Sequence, residues 1–476
     1  STQVTSLSTD QIAAWSTAQI GALSFAGVAG LQTADMATFD AADIAAINIK
    51  ALAGLSTANI EALDSTQAAG FTTGQIAALS TAQIDVLTSD EMSGWGSAQV
   101  QAVSAKQIAA FDLAGLSSTQ AAMLTTGQIG ALSTTQVQAL TTAQMAGWDS
   151  TQVAAISTKQ ITNINFTQLS STQAGMLTTA QVAALGSAQT GTFSSDQIAA
   201  FSTAQIGALQ SSAFSVLISD HLATLDAADI AAISTKAIAG LSPIQIGLLD
   251  STQAAGFTTG QIAAFSTSQV AALTTAQISG WASAQVGALS AKQLATLDLS
   301  ALSSTQAGML TSTQIASLTS TQVASLSTDQ VAAWSTAQIA ALSSAGVAGL
   351  STADIGTFDA TEIAAISNKG LAGLSTANIA ALGSAQGAGL TSGQIALLST
   401  TQVAALTSDE MAGWDSTQIA ALSVKQIAAM DVTQLSSTQF GMLTTTQIAS
   451  LGSAQVASLS TDQIGAWSAT QIAALS

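Results

Sequence analysis

The stretch STDQIAAWSTAQIGALS, residues 8–24, speaks one eight-residue phrase twice, S-T-x-Q-I-x-x-L. It returns as STDQVAAWSTAQIAALS at 327–343 and STDQIGAWSATQIAALS at 460–476. Strands call for period-two alternation and β-branched residues. This phrase instead reads cap, polar, polar, Gln, Ile, Ala, Ala, Leu, with strong helix formers in its second half. One continuous helix fails as well: eight residues at about 100° each advance roughly 800°, so an Ile and Leu stripe would drift by about 80° per repeat. The helix must therefore restart in every octad.

Three distributions place the restart at position 1. Ser, Thr, Asp or Gly usually stands there and Gln, Glu, Asp or Asn at position 4, which is the capping-box spacing. Of the 26 acids, 24 fall at positions 1, 3 or 4, where a helix start stabilises negative charge; only Glu61 and Asp85 do not. The lone proline, Pro243, occupies position 2, the first helical residue, where its missing N–H costs least. Each octad is read as a capped helix of roughly six or seven residues that buries positions 5 and 8. Ordering eight residues costs more than burying one Ile and one Leu returns, so an octad cannot stand alone and must stack on neighbours. The predicted fold is all-α: an α-solenoid of short capped helices, one per octad.

Counted from Ser8, thirteen octads run without a gap to Phe111. A five-residue unit, Asp112–Leu116 (DLAGL), then resets the phase, and NFTQL (165–169), DLSAL (298–302) and DVTQL (431–435) do the same. The last three are equally spaced, which defines a higher-order repeat above the octad. Side chains keep that longer period: Trp148, Trp281 and Trp414 each precede a pentad by the same interval, as do Lys159, Lys292 and Lys425. The chain reads as one continuous solenoid, 1–476, with higher-order copies 1–116, 117–169 (shortened), 170–302, 303–435 and 436–476 (partial). The segment 453–476 restates the segment 1–24, so the sequence reads either as cut from something longer or as ending in faces that stack on copies of itself.

Only 7% of the chain is charged and 48% is hydrophobic, with one proline and no cysteine. The regular Ile, Leu and Val argue against disorder, and the missing cysteine excludes disulfides and thiolate chemistry. Seven lysines against 26 acids give a net charge of −19, which opposes nucleic-acid binding. No apolar run approaches the length of a membrane span, so no membrane insertion is expected. The opening at Ser1 without a charged-then-apolar leader reads as a mature or excised product.

No catalytic residues are assigned. The single histidine, His221, stands at position 4, where Gln is usual, and has no clustered partner to make it a base or ligand. Every tryptophan is at position 8, a core slot that Leu fills elsewhere, which favours packing over ligand stacking. No cofactor is expected. Calcium is kept as a candidate ligand for the acids of the two SDEM runs, Asp90, Glu91, Asp409 and Glu410, although capping already accounts for them. All seven lysines fall at position 3 and read as a solvated row.

The string LTTAQVAAL resembles the opening of the DNA-reading repeats of TAL effectors, but those units are much longer and basic, so the likeness is to a capped helix and not to its activity. Across its whole length the chain resembles the Ser/Thr/Ala/Gln-rich repeat tracts of very large secreted bacterial surface proteins, adhesins and S-layer-like proteins that are also acidic and cysteine-poor and are exported by type I secretion. That resemblance implies an extracellular, non-enzymatic structural protein, a filament, sheath or surface-layer element whose partners are copies of itself, head-to-tail or lateral. The alternative is an adhesin stalk or a repetitive surface for ice, carbohydrate or mineral.

Overall fold

The computed structural model describes residues 2–475 and divides into two compact units, Ser1–Leu241 and Ser242–Ser476, the division falling between two octads. Within each unit the described residues form short helices and no strand, so each is an α-solenoid.

The octad 72–79 shows why the sequence folds this way. Its helix, Thr73–Ala78, is capped by Thr72. The Thr72 hydroxyl accepts from the Gln75 amide (3.3 Å), and the Gln75 side-chain oxygen accepts from the Thr72 amide (2.7 Å). The predicted capping box thus satisfies two of the N–H groups a helix start leaves orphaned. Leu79, at position 8, has φ −57° and ψ 140° and leads into the extended N-cap Ser80. Two extended residues in succession turn the chain, so no left-handed residue is needed, and none with positive φ occurs among the described residues. Because position 8 leaves the helical region, the helices run four to six residues, shorter than the six or seven read from the sequence. The last N–H is shared: Leu79 donates to the Gln75 carbonyl (3.0 Å) and, in a tighter turn, to the Ile76 carbonyl (3.2 Å).

Positions 5 and 8 form the core as predicted; Ile76 and Leu79 are buried, and so are most of their counterparts in both units. Each helix packs on the third one before and after it, for example Ala41–Ala46 on Ser65–Ala69. The pentads prove to be more than phase resets. Asp112 caps a single 3-10 turn, Leu113–Gly115, by accepting from the Ala114 amide (2.9 Å), while Leu113 and Leu116 are buried as positions 5 and 8 would be. A pentad is therefore an octad without its first three residues. Its Asp or Asn, standing at the octad's position 4, takes over the cap that the missing Ser supplied, and the other three pentads repeat this.

Candidate functional site

The turn-to-turn joint is built by the position-4 glutamine. With its oxygen on its own N-cap, the amide nitrogen points to the preceding turn. Gln107 Nε2 donates to the carbonyls of Ile76 and Leu79, both at 2.8 Å. These are positions 5 and 8 of the fourth octad back, 31 and 28 residues away. The Ile76 carbonyl, which already accepts from the Leu79 amide, gains a second donor, and the Leu79 carbonyl, beyond the helix end, gains its donor from a side chain of the next turn. One buried glutamine therefore finishes two helices at once. Glu could accept from the cap but could not donate across the joint, which explains why Gln dominates position 4. Gln75, Gln293 and Gln426 make the same pair of bonds.

Pentads keep the ladder in register. Gln144 donates to Leu113 (2.6 Å) and Leu116 (3.0 Å), the pentad's own second and fifth residues. Where a pentad lies between donor and acceptor, the separations fall to 28 and 25 residues, as for Gln128 with Val100 and Val103. A unit three residues shorter still occupies one full place in the turn.

His221 is a glutamine surrogate. Its Nδ1 faces the Ile218 amide (3.4 Å), and its Nε2 lies 3.1 Å from the Phe193 carbonyl, 28 residues back. Accepting with Nδ1 and donating with Nε2 requires the neutral ring with its proton on Nε2. Asn59 and Asn378, shorter by one methylene, reach a single carbonyl each, those of Leu31 and Leu350.

Four tryptophans lie over a compensating column of small residues. Trp95, Trp148, Trp281 and Trp414 donate from the indole nitrogen, at 2.9–3.1 Å, to the carbonyls of Ala68, Ala121, Ala254 and Gly387, each 27 residues earlier. Those acceptors are position-5 residues where Ile or Val is usual, so a large ring above is matched by a small side chain below. Trp334 and Trp467 are buried with no partner for the indole nitrogen, and Trp15 is half-buried. A second joint occurs where position 4 is small: Ala51 and Gly370 bring no side-chain amide, and Gly54 and Gly373 let the helix settle against the backbone of Phe25 and Ser344, where a Cβ would collide.

The SDEM acids divide by face. Asp90 and Asp409 are exposed, while Glu91 and Glu410 are buried and turn back onto their own caps, accepting from the amides of Thr88 (2.8 Å) and Thr407 (2.7 Å). No cluster of three or more metal-ligating His, Asp or Glu side chains occurs among the described residues. Capping acids elsewhere are held ionised: the Thr151 hydroxyl and Gln152 amide lower Asp149, Thr417 and Gln418 lower Asp415, and the Thr433 hydroxyl and Gln434 side chain lower Asp431. All seven lysines are exposed.

The chain is thus a repeat protein of the α-solenoid class. Four stretches, residues 111–142, 262–298, 320–352 and 363–400, match the ALTTAQ repeat. The string itself stands at 139–144 and 272–277, where it crosses the joint: Leu closes one helix, Thr caps the next, and Gln carries the ladder bond. No curated protein matches the chain. Among the described residues no helix is long and apolar enough to cross a membrane.

Proposed function

We propose that this chain is a non-enzymatic structural protein that works outside the cell, as part of a filament, sheath or surface layer, by joining copies of itself. The supporting observation is the ladder. Its two sides differ, with glutamine Nε2 donors on one and helix-end carbonyls on the other, so the joint is heterologous, and joints of that kind propagate head to tail. Gln11 and Gln19 hold their own caps (2.9 and 2.8 Å) with exposed side chains, which leaves their amide nitrogens open to a joint. The scaffold also absorbs groups that chemistry would need, including the one histidine. The acidic, cysteine-free composition and the resemblance to secreted surface repeats support an extracellular setting.

The test is sedimentation velocity across a concentration series, paired with negative-stain electron microscopy. Fibres or sheets that lengthen with concentration, and that disappear in the Gln11→Glu/Gln19→Glu variant, are the expected result. Monomers at every concentration would overturn the proposal.

A further inference from the structure

Three cavities recur at the same structural place, one after each of the last three pentads. They are shallow grooves open to solvent, lined by residues 167–197, 300–330 and 433–463, of about 260, 350 and 400 Å³. Each lies between the pentad, the start of the octad that follows it and the first turn of the fourth unit on. In the first, the rim is Thr167, Ser171, Thr192, Ser194 and Asp196, over an apolar floor at Leu169. The other two keep a hydroxyl at each of these places and keep the acid as Asp329 and Asp462. These acids belong to the SSDQ and STDQ octads 194–201, 327–334 and 460–467, each the fourth unit after a pentad.

The lining chemistry selects a ligand. The hydroxyls of Thr192, Ser325 and Ser458 donate to the carbonyls of Gln189, Gln322 and Gln455, all at 2.7 Å. Those of Thr167, Ser300 and Thr433 donate to the pentad's first residue, at 2.7–2.8 Å. With these protons committed, both groups turn lone pairs toward the cavity, and the carboxylate adds acceptors only. The ladder glutamine at the back is also committed, as Gln197 is to Phe166 and Leu169, each at 2.7 Å. Ser194, Ser327 and Ser460 accept from the amides of Gln197, Gln330 and Gln463 and keep their own protons, so the wall offers both acceptors and hydroxyl donors, which suits a polyhydroxylated ligand. Calcium is a poor fit, since it takes 6–8 oxygens at roughly 2.3–2.6 Å and each cavity offers one carboxylate. A cavity near the lower end of the roughly 300–1,000 Å³ range of small-molecule sites suits a single ring.

We propose that these three cavities are saccharide subsites, each taking one neutral pyranose unit of an oligosaccharide. Adjacent hydroxyls of the sugar donate to Asp196, Asp329 or Asp462, and the C–H face of the ring rests on the leucine floor. A fourth groove, lined by residues 372–402 at the corresponding place beside a full octad, carries Ala372, Leu397 and Thr401 where the others have a hydroxyl, a hydroxyl and the acid, and is not a subsite. The proposal does not depend on self-association, because each cavity is contained within one unit of the chain.

The experiment is isothermal titration calorimetry of the full chain with maltohexaose, cellohexaose and chitohexaose, repeated with the Asp196→Ala/Asp329→Ala/Asp462→Ala variant. The three acids are exposed and cap nothing, and circular dichroism checks that the variant keeps its helix content. Saturable binding of at least one oligosaccharide, weakened at least tenfold in the variant and unchanged by EDTA, supports the proposal. No binding of any of the three, binding that survives the triple substitution, or calcium chloride binding that the substitution abolishes in the absence of sugar binding would each overturn it.

Discussion

Glu410 stands where the ladder expects an amide, and replacing it with glutamine should stabilise the chain. The equivalent octad of the preceding higher-order copy, 274–281, shows what is missing. There Gln277 accepts from the Thr274 amide (2.8 Å) and donates to the carbonyls of Ile246 and Leu249, each at 2.7 Å. Glu410 keeps the first function through Thr407 but has no proton to give the equivalent carbonyls of Ile379 and Leu382. Two restored hydrogen bonds at about 0.5–1.5 kcal/mol each give about 1–3 kcal/mol. Removing an anion from a helix start offsets that by about 0.3–1 kcal/mol. The net gain expected for Glu410→Gln is about 1–2 kcal/mol. The reverse change, Gln277→Glu, should cost about 2–4 kcal/mol, because it also leaves two buried carbonyls facing a carboxylate. Repeat arrays can unfold in parts, so the assay should read local stability: amide hydrogen exchange of peptides covering 375–382 and 407–414, beside a urea melt. Slower exchange in Glu410→Gln and faster exchange around 242–249 in Gln277→Glu are expected. Equal exchange in both variants and wild type would refute the idea that position 4 joins turns by donation.

His221→Gln should leave the urea midpoint unchanged or raise it, whereas His221→Leu should lower stability by about 1–3 kcal/mol, since it strips the Ile218 amide and the Phe193 carbonyl of a buried partner. Ala254→Ile should cost about 1–3 kcal/mol by overfilling the space under Trp281, and adding Trp281→Leu should recover part of that loss in a double-mutant cycle. The hydrogen bonds to Asp149, Asp415 and Asp431 lower their folded-state pKa values, so their contribution is complete above the ordinary aspartate range near pH 4 and is lost as pH falls through the lower folded values. A melt series from pH 6 to pH 2 should show that acid loss, and the Asp149→Asn/Asp415→Asn/Asp431→Asn variant should flatten it. Inserting Ser-Thr-Ala before Asp298 should turn that pentad into a complete octad and preserve the helical circular dichroism signal, while inserting a single Ala there should lower the melting temperature.

The octad, its cap and its core were legible because they rest on local rules. A helix start needs Ser or Thr three positions before Gln, as in Thr72 and Gln75, and the turn after it needs Ile76 and Leu79 to bury. What the sequence hid was the second end of each glutamine. A capping box explains why a polar residue stands at position 4, and that explanation conceals a contact with the preceding turn. The preference for Gln107 over Glu was the available signal, because only an amide carries a proton. The pentads were visible as spacing but not as truncated octads, since that depends on Leu113 and Leu116 standing in register with positions 5 and 8 of a full repeat. Helix length was overestimated for a local reason: position 8 must be both core residue and turn, and it cannot stay helical and do both. The small residues under the tryptophans, Ala68 and Ala254 among them, could have been found by asking why Ile is absent at position 5 at a fixed interval before each ring.

The most direct test of the ladder is side-chain amide hydrogen exchange, observed by NMR on protein labelled with 15N at glutamine side chains. The account predicts two populations. The position-4 glutamines, such as Gln75, Gln107, Gln293 and Gln426, should show Nε2 protons protected to nearly the same degree as the backbone of their own turns, and an exposed glutamine outside the ladder, such as Gln138, should exchange at the rate of a free amide. A single fast population would contradict the claim that these amides hold one turn to the next.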